Sequence, residues 1–232
     1  MSRSKHLVLV PGLTCTRDLY GPQIIGLSGL ATLHVADHTG HDTMAGLAAS
    51  ILARAPPSFA LCGLSMGGYI AFEMLRQAPR RIERVALLDT AAGPEEPGPR
   101  VRRLRQMEMA ETGKYQELSD ILWPLFVHPA RYDDAALKAT VFKMIADTGP
   151  TVFLRQQTAL LHRPDSRAAL AEISCPALVL VGAQDRMTPP AEARAIASGI
   201  TGAKLVEIPD CGHLSTLERP DAVTRALIDW LG

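Results

Sequence analysis

Three residues of this chain have the types that acyl chemistry needs, and each follows a short apolar run. Ser65 stands in "LCGLSMGGYIAFEML", framed by Gly63 and Gly67. Asp185 lies three residues beyond Gly182 in "ALVLVGAQDRMTPP", and His213 follows the next apolar run in "KLVEIPDCGHLSTLERP". A serine hydroxyl is a poor nucleophile until a base takes its proton and a third group orients that base. Taken alone, Ser65 could sit in a plain strand-to-helix loop, Asp185 could cap a turn, and His213 could be a loop histidine. Their order and their places at successive run ends argue for one machine.

The elements needed to position them are legible. Apolar, β-rich runs at 6–10, 31–37, 58–63, 84–89, 177–182 and 204–209 suit parallel strands buried on both faces. Helix-like patterns at 44–55, 67–78, 190–200 and 219–232 alternate with them, which predicts a doubly wound α/β sheet. The motif G-x-S-x-G then falls on a strand–helix junction, the setting of a nucleophile elbow. Glycines at both ends let strand and helix approach closely, and the helix offers its N-terminal N–H groups to a developing oxyanion.

From 93 to 174 the alternation stops. "EEPGP" opens this interval, and "KYQELSDILWPLF" carries Leu118, Ile121, Leu122 and Leu125 at helical spacing. "PTVFLRQQTALLHRP" starts with Pro150 at a first helical position and ends before Pro164. The expected organisation is a core of 1–92 and 175–232 with a helical lid insertion at 93–174.

Bulk properties exclude several classes. Lys+Arg and Asp+Glu are equal at 24 each, so no net field steers the chain to nucleic acid or to an anionic membrane. No apolar run reaches the roughly 18 residues of a membrane span. "MSRSKHLVLVPG" has too short an apolar stretch for a signal peptide. Cys15, Cys62, Cys175 and Cys211 form no C-x-x-C pair and are expected as free thiols in a cytoplasmic protein.

The chain resembles the α/β-hydrolase superfamily, and within it the small-lid branch of carboxylesterases, enol-lactonases and carbon–carbon bond hydrolases. The order Ser65, Asp185, His213 is the chain order of that family's triad. "GLSMGGYIAFEML", "VGAQDRMTPP" and "PDCGHLSTLERPDAV" resemble its elbow, acid and histidine segments. "LVLVPGLTCTRDLYGPQ" resembles its oxyanion loop, which implies that the backbone N–H groups of Leu13 and Met66 form the oxyanion hole. The chain departs from the family in two ways. Lys5 already abuts "HLVLV", so the two-strand hairpin before the first central strand is expected to be absent, and Pro11–Gly12 replaces a frequent His–Gly pair.

Rival readings are open at several positions. Asp89, ending "RVALLD", is an alternative acid, whereas Asp210 reads as a loop cap. His34, His38 and His41 cluster with Asp37 and Asp42, but their spacing fits no metal motif. Arg100, Arg102, Arg103 and Arg105 read as a solvated helix face, with steering of an acidic substrate as the alternative. Cys15 and Cys211 are expected near the pocket, and Trp123, Phe126, Tyr132 and Phe142 as lid core.

The expected activity is hydrolysis of small to medium carboxylic esters through an acyl-enzyme, with Ser65 as nucleophile, His213 as base and Asp185 as orienter. Carbon–carbon bond hydrolysis or enol-lactone hydrolysis by the same triad is the alternative within enzymes. A non-catalytic ligand receptor on this fold is the alternative outside them. No cofactor, metal, nucleic acid or membrane is implied.

Overall fold

The structure is a computed structural model that describes residues 6–232. Six strands form one sheet: β1 (His6–Val10), β2 (Thr32–Val35), β3 (Phe59–Leu64), β4 (Ile82–Leu88), β5 (Ala177–Gly182) and β6 (Lys204–Ile208). Their order is β2-β1-β3-β4-β5-β6, and every neighbouring pair is parallel. This is the parallel, doubly wound sheet that the apolar runs predict, arranged as the α/β-hydrolase resemblance implies. β3 and β5 are buried throughout, whereas the edge strands β2 and β6 are half exposed. The absence of a leading hairpin concerns the stretch ahead of His6, outside the described residues.

Helices cover both faces. α1 (Gly21–Leu27) packs with α9 (Pro220–Leu231), and α2 (Met44–Arg54) packs with α3 (Met66–Gln77). α7 (Pro190–Gly199) lies on β5 and β6, and the single turn α8 (Ser215–Glu218) leads into α9. The strand order reverses between β1 and β3, so the loops leaving their carboxyl ends diverge around a crevice. Those loops carry Leu13 and Ser65.

Between β4 and β5 the chain is helical: α4 (Pro97–Glu111), α5 (Leu118–Phe126) and α6 (Ala135–Leu161). α4 and α5 both pack on α6. α6 breaks at Gly149, whose φ of 70° and ψ of 165° leave the helical region, and helical geometry resumes at Pro150. The predicted helix start at Pro150 is thus the second half of a kinked element. The sequence reading leaves its first half unassigned, although Leu137, Val141, Met144 and Ile145 fall on one buried face at helical spacing.

Candidate active site

Ser65 occupies the sharp turn between β3 and α3, at φ 55° and ψ −114°. Such a conformation is costly for a residue with a Cβ and persists only where its surroundings enforce it. The Ser65 N–H donates to the Leu88 carbonyl at 2.9 Å, and the Thr90 hydroxyl donates to the Ser65 carbonyl at 2.8 Å. The glycines supply room. A Cβ on Gly63 would collide with the Gly67 carbonyl, and one on Gly67 with the Val10 carbonyl. The elbow can form only if both positions lack side chains.

The Ser65 hydroxyl lies 2.9 Å from His213 Nε2, and His213 Nδ1 lies 2.8 Å from Asp185 Oδ2. With Nδ1 donating to the carboxylate, Nε2 is the acceptor for the serine proton. Asp185 is itself fixed: its Oδ1 accepts the Met187 and Thr188 N–H groups at 2.7 and 3.0 Å, and its Oδ2 accepts the Thr188 hydroxyl at 2.8 Å. Both Asp185 and His213 are buried. Burial works to lower the His213 pKa, but the Asp185 charge and hydrogen bond, with Asp89 and Glu218 behind them, outweigh it and raise the value.

Asp89 ends the neighbouring strand and is wholly buried, yet it does not bond to the imidazole. Its carboxylate accepts the Gly182 N–H at 2.9 Å and the Ser215 hydroxyl. Desolvation and then the Asp185 charge push its pKa well up. Asp89 braces the β5 end and the histidine loop. Asp210 turns outward to Arg219.

The backbone N–H groups of Leu13 and Met66 have no hydrogen-bond partner among the described residues. The Leu13 loop is held on both flanks. The Thr14 N–H donates to Gln156 Oε1 at 3.0 Å, and His38 Nε2 meets the Gly12 carbonyl at 2.9 Å. Both side chains are buried. Of the histidine–aspartate cluster in the sequence, only His38 reaches the site. His34 stays beside His6, and Asp37 binds Thr39 and Arg54.

The histidine loop rests on the inserted helices. The His213 and Leu214 N–H groups both donate to the Phe126 carbonyl at 3.0 Å. Buried Glu218 accepts the Gly212 N–H at 2.9 Å through Oε1 and the His128 N–H at 2.7 Å through Oε2. The Phe126 ring stacks on His213 at 6.0 Å and lines the cavity, so it belongs to the site as well as to the helical packing. Trp123 and Phe142 meet edge-on away from it.

Ser65 and His213 open into a cavity of about 240 Å³, whose walls include Leu13, Cys15, Tyr69, Leu160 and Met187. The Cys15 thiol is pushed up to about 12, chiefly by burial, and stays protonated. Cys211 is buried behind the histidine loop and does not line the cavity. Arg103 also departs from the solvated-face expectation: its guanidinium is paired with buried Glu95 at 2.9 Å.

The family model for the alpha/beta hydrolase family matches residues 7–226, and the chain belongs to that family. It is 28% identical over 235 residues to a pimeloyl-[acyl-carrier protein] methyl ester esterase of Nitrosomonas europaea, covering 93% of this chain and 91% of that one. Among solved structures it resembles a thermophilic esterase from Thermogutta terrifontis, with 29% identity and a TM-score of 0.89 over 100% of this chain and 90% of that one. It also resembles an enol-lactonase from Burkholderia xenovorans, with 28% identity and a TM-score of 0.90 over 99% and 92%.

Proposed function

We propose that this hydrolase cleaves small carboxylic esters through an acyl-enzyme. The supporting observation is the continuous chain from Ser65 Oγ to His213 to Asp185, at 2.9 and 2.8 Å, opening into a closed-in cavity. As the Ser65 oxygen bonds to the ester carbon, its proton passes to His213 Nε2. Asp185 holds the imidazole and stabilises its charge. The carbonyl oxygen, now negative, receives hydrogen bonds from the Leu13 and Met66 N–H groups. The carbon–oxygen bond to the alcohol breaks, and His213 returns its proton to the departing oxygen. Water then gives a proton to His213 and attacks the acyl carbon; the bond from that carbon to the Ser65 oxygen breaks, and His213 returns the proton to that oxygen, freeing the acid and regenerating Ser65.

The substrate is a small molecule. A cavity of about 240 Å³ falls below the roughly 300–1,000 Å³ of drug-sized sites. In this reading the helices between β4 and β5 act as a lid and shape that cavity, while the sheet carries the chemistry. The esterase and methyl ester esterase similarities support an ester over other acyl substrates. Four free cysteines suit a cytoplasmic setting.

The test is labelling by a fluorophosphonate. The reagent should add once, at Ser65, and a folded Ser65→Ala protein should lose both labelling and ester hydrolysis. Labelling that survives in that variant refutes the assignment.

A further inference from the structure

The cavity above Ser65 is walled by four arginines: Arg102, Arg103, Arg163 and Arg167. Three of them are paired within the chain itself. Buried Glu95 pairs with both Arg103 and Arg163. Arg103 also donates to Gln157 at 2.6 Å, and Arg163 donates to the Gly93 and Pro94 carbonyls at 3.0 and 2.8 Å. Arg167 lies outermost and is paired with Asp165 at 2.5 Å.

Arg102 is different. It is half-buried on the cavity wall, with no hydrogen bond and no ion pair among the described residues. Neither of the cavity's two other glutamates pairs with Arg102: Glu192 bears on Arg163, Arg167 and Tyr69, and Glu96 on Arg167. The charged group that does bear on Arg102 is another cation, Arg103, and burial together with that neighbour lowers its pKa. A half-buried cation beside a like charge is an unfavourable arrangement that an incoming anion relieves. Arg100 and Arg105 are exposed, and Arg100 donates to the Leu161 carbonyl at 3.4 Å, so of the two members of the run that reach the cavity, Arg103 is paired and Arg102 is not. The Tyr69 hydroxyl lies on the same cavity, with no partner among the described residues, and the Arg163 guanidinium rests 4.6 Å from its ring.

We propose that Arg102 is an anion subsite, and that the substrates are esters whose non-reacting end carries a carboxylate. This rests on the serine-hydrolase reading and names its substrate class. A guanidinium matches a carboxylate with two parallel N–H donors, and the Tyr69 hydroxyl can add a third. Ester hydrolysis then releases a dicarboxylate and an alcohol.

The test compares monomethyl succinate, glutarate and adipate with methyl butyrate, pentanoate and hexanoate, on the natural chain and on Arg102→Gln and Arg102→Lys. At the best chain length, kcat/KM for the anionic ester should exceed that for its neutral partner by about tenfold or more, the scale of a charge-assisted hydrogen bond. That ratio should fall by about the same factor in Arg102→Gln, and Arg102→Lys should recover part of it. Equal or inverted ratios at every length in the natural chain, or a ratio unmoved by Arg102→Gln, overturn the proposal. Fluorophosphonate labelling run beside it separates the two readings: a labelled protein without the preference refutes the subsite alone. If labelling fails, calorimetry with glutarate decides. Binding that Arg102→Gln abolishes supports the subsite, and no binding by the natural chain overturns it.

Discussion

The Gln156 amide oxygen in α6 accepts the backbone N–H of Thr14 at 3.0 Å, one residue beyond the proposed oxyanion donor Leu13. A helix between β4 and β5 therefore fixes the loop that follows β1. Removing the acceptor leaves a buried N–H unpaired, which costs about 1–3 kcal/mol. Gln156→Met should lower kcat by about tenfold or more while KM changes little, because the donor is needed most when the oxyanion forms. Steady-state kinetics with a methyl ester, set beside urea unfolding, checks both parts. A fall in stability without a fall in kcat would show that Gln156 serves packing alone.

Asp185 and Asp89 should separate cleanly. Asp185→Asn puts an amide where the imidazole needs an acceptor, and kcat should drop by about 10⁴-fold. Asp89 makes no bond to His213, and its φ of 44° is one that asparagine tolerates. Asp89→Asn should keep activity within about tenfold, since it removes charge at a distance and not an orienting hydrogen bond. The reverse ranking at equal folded yield would move the acid to β4.

The pH profile follows from the sign of the His213 shift. In the proposed mechanism His213 must be neutral to accept the serine proton, and its pKa is raised above the usual histidine value of about 6.5. The charged form therefore persists to higher pH than in a free histidine. The acidic limb of kcat/KM should lie above pH 6.5, with activity rising as pH increases through it. An NMR titration of the His213 ring should give the same direction. An acidic limb below pH 6.5 would contradict it.

Ser65 pays a conformational penalty that alanine keeps and glycine sheds. Both Ser65→Ala and Ser65→Gly remove the bond to His213, so their difference isolates the backbone. Ser65→Gly should be more stable than Ser65→Ala by about 1 kcal/mol, the lower end of the strain expected for a non-glycine residue in this region. This ordering reverses the usual one, in which alanine stabilises relative to glycine. Chemical denaturation of the two inactive variants decides it.

The sequence carried the sheet well because buried parallel strands advertise themselves as continuous apolar runs. "FALCGL" and "ALVLVG" are buried at every position, and their ends place Ser65 and the Asp185 loop. The helical interval was less legible. Phe126 has the residue type of packing core, and only its position against His213 makes it part of the site. Gln156, His38 and Glu218 act on backbone atoms far away in the chain, and such partners leave no local pattern. Arg102 and Arg103 stand side by side in one basic run, and the rotation of about 100° between adjacent helix positions separates a paired cation from an unpaired one.

The joint that carries His213 has an asymmetry with consequences for descent. From the inserted side the Phe126 carbonyl and the His128 N–H supply main-chain bonds, while the Phe126 ring stacks on His213 and Arg131 donates to the Glu218 carbonyl at 2.9 Å. The side chain that completes it, Glu218, comes from the core. A replacement segment whose backbone passes the same point keeps those main-chain bonds and loses the ring stacking and the Arg131 contact. The wall of the cavity can change in this way while the histidine loop keeps its main-chain anchors.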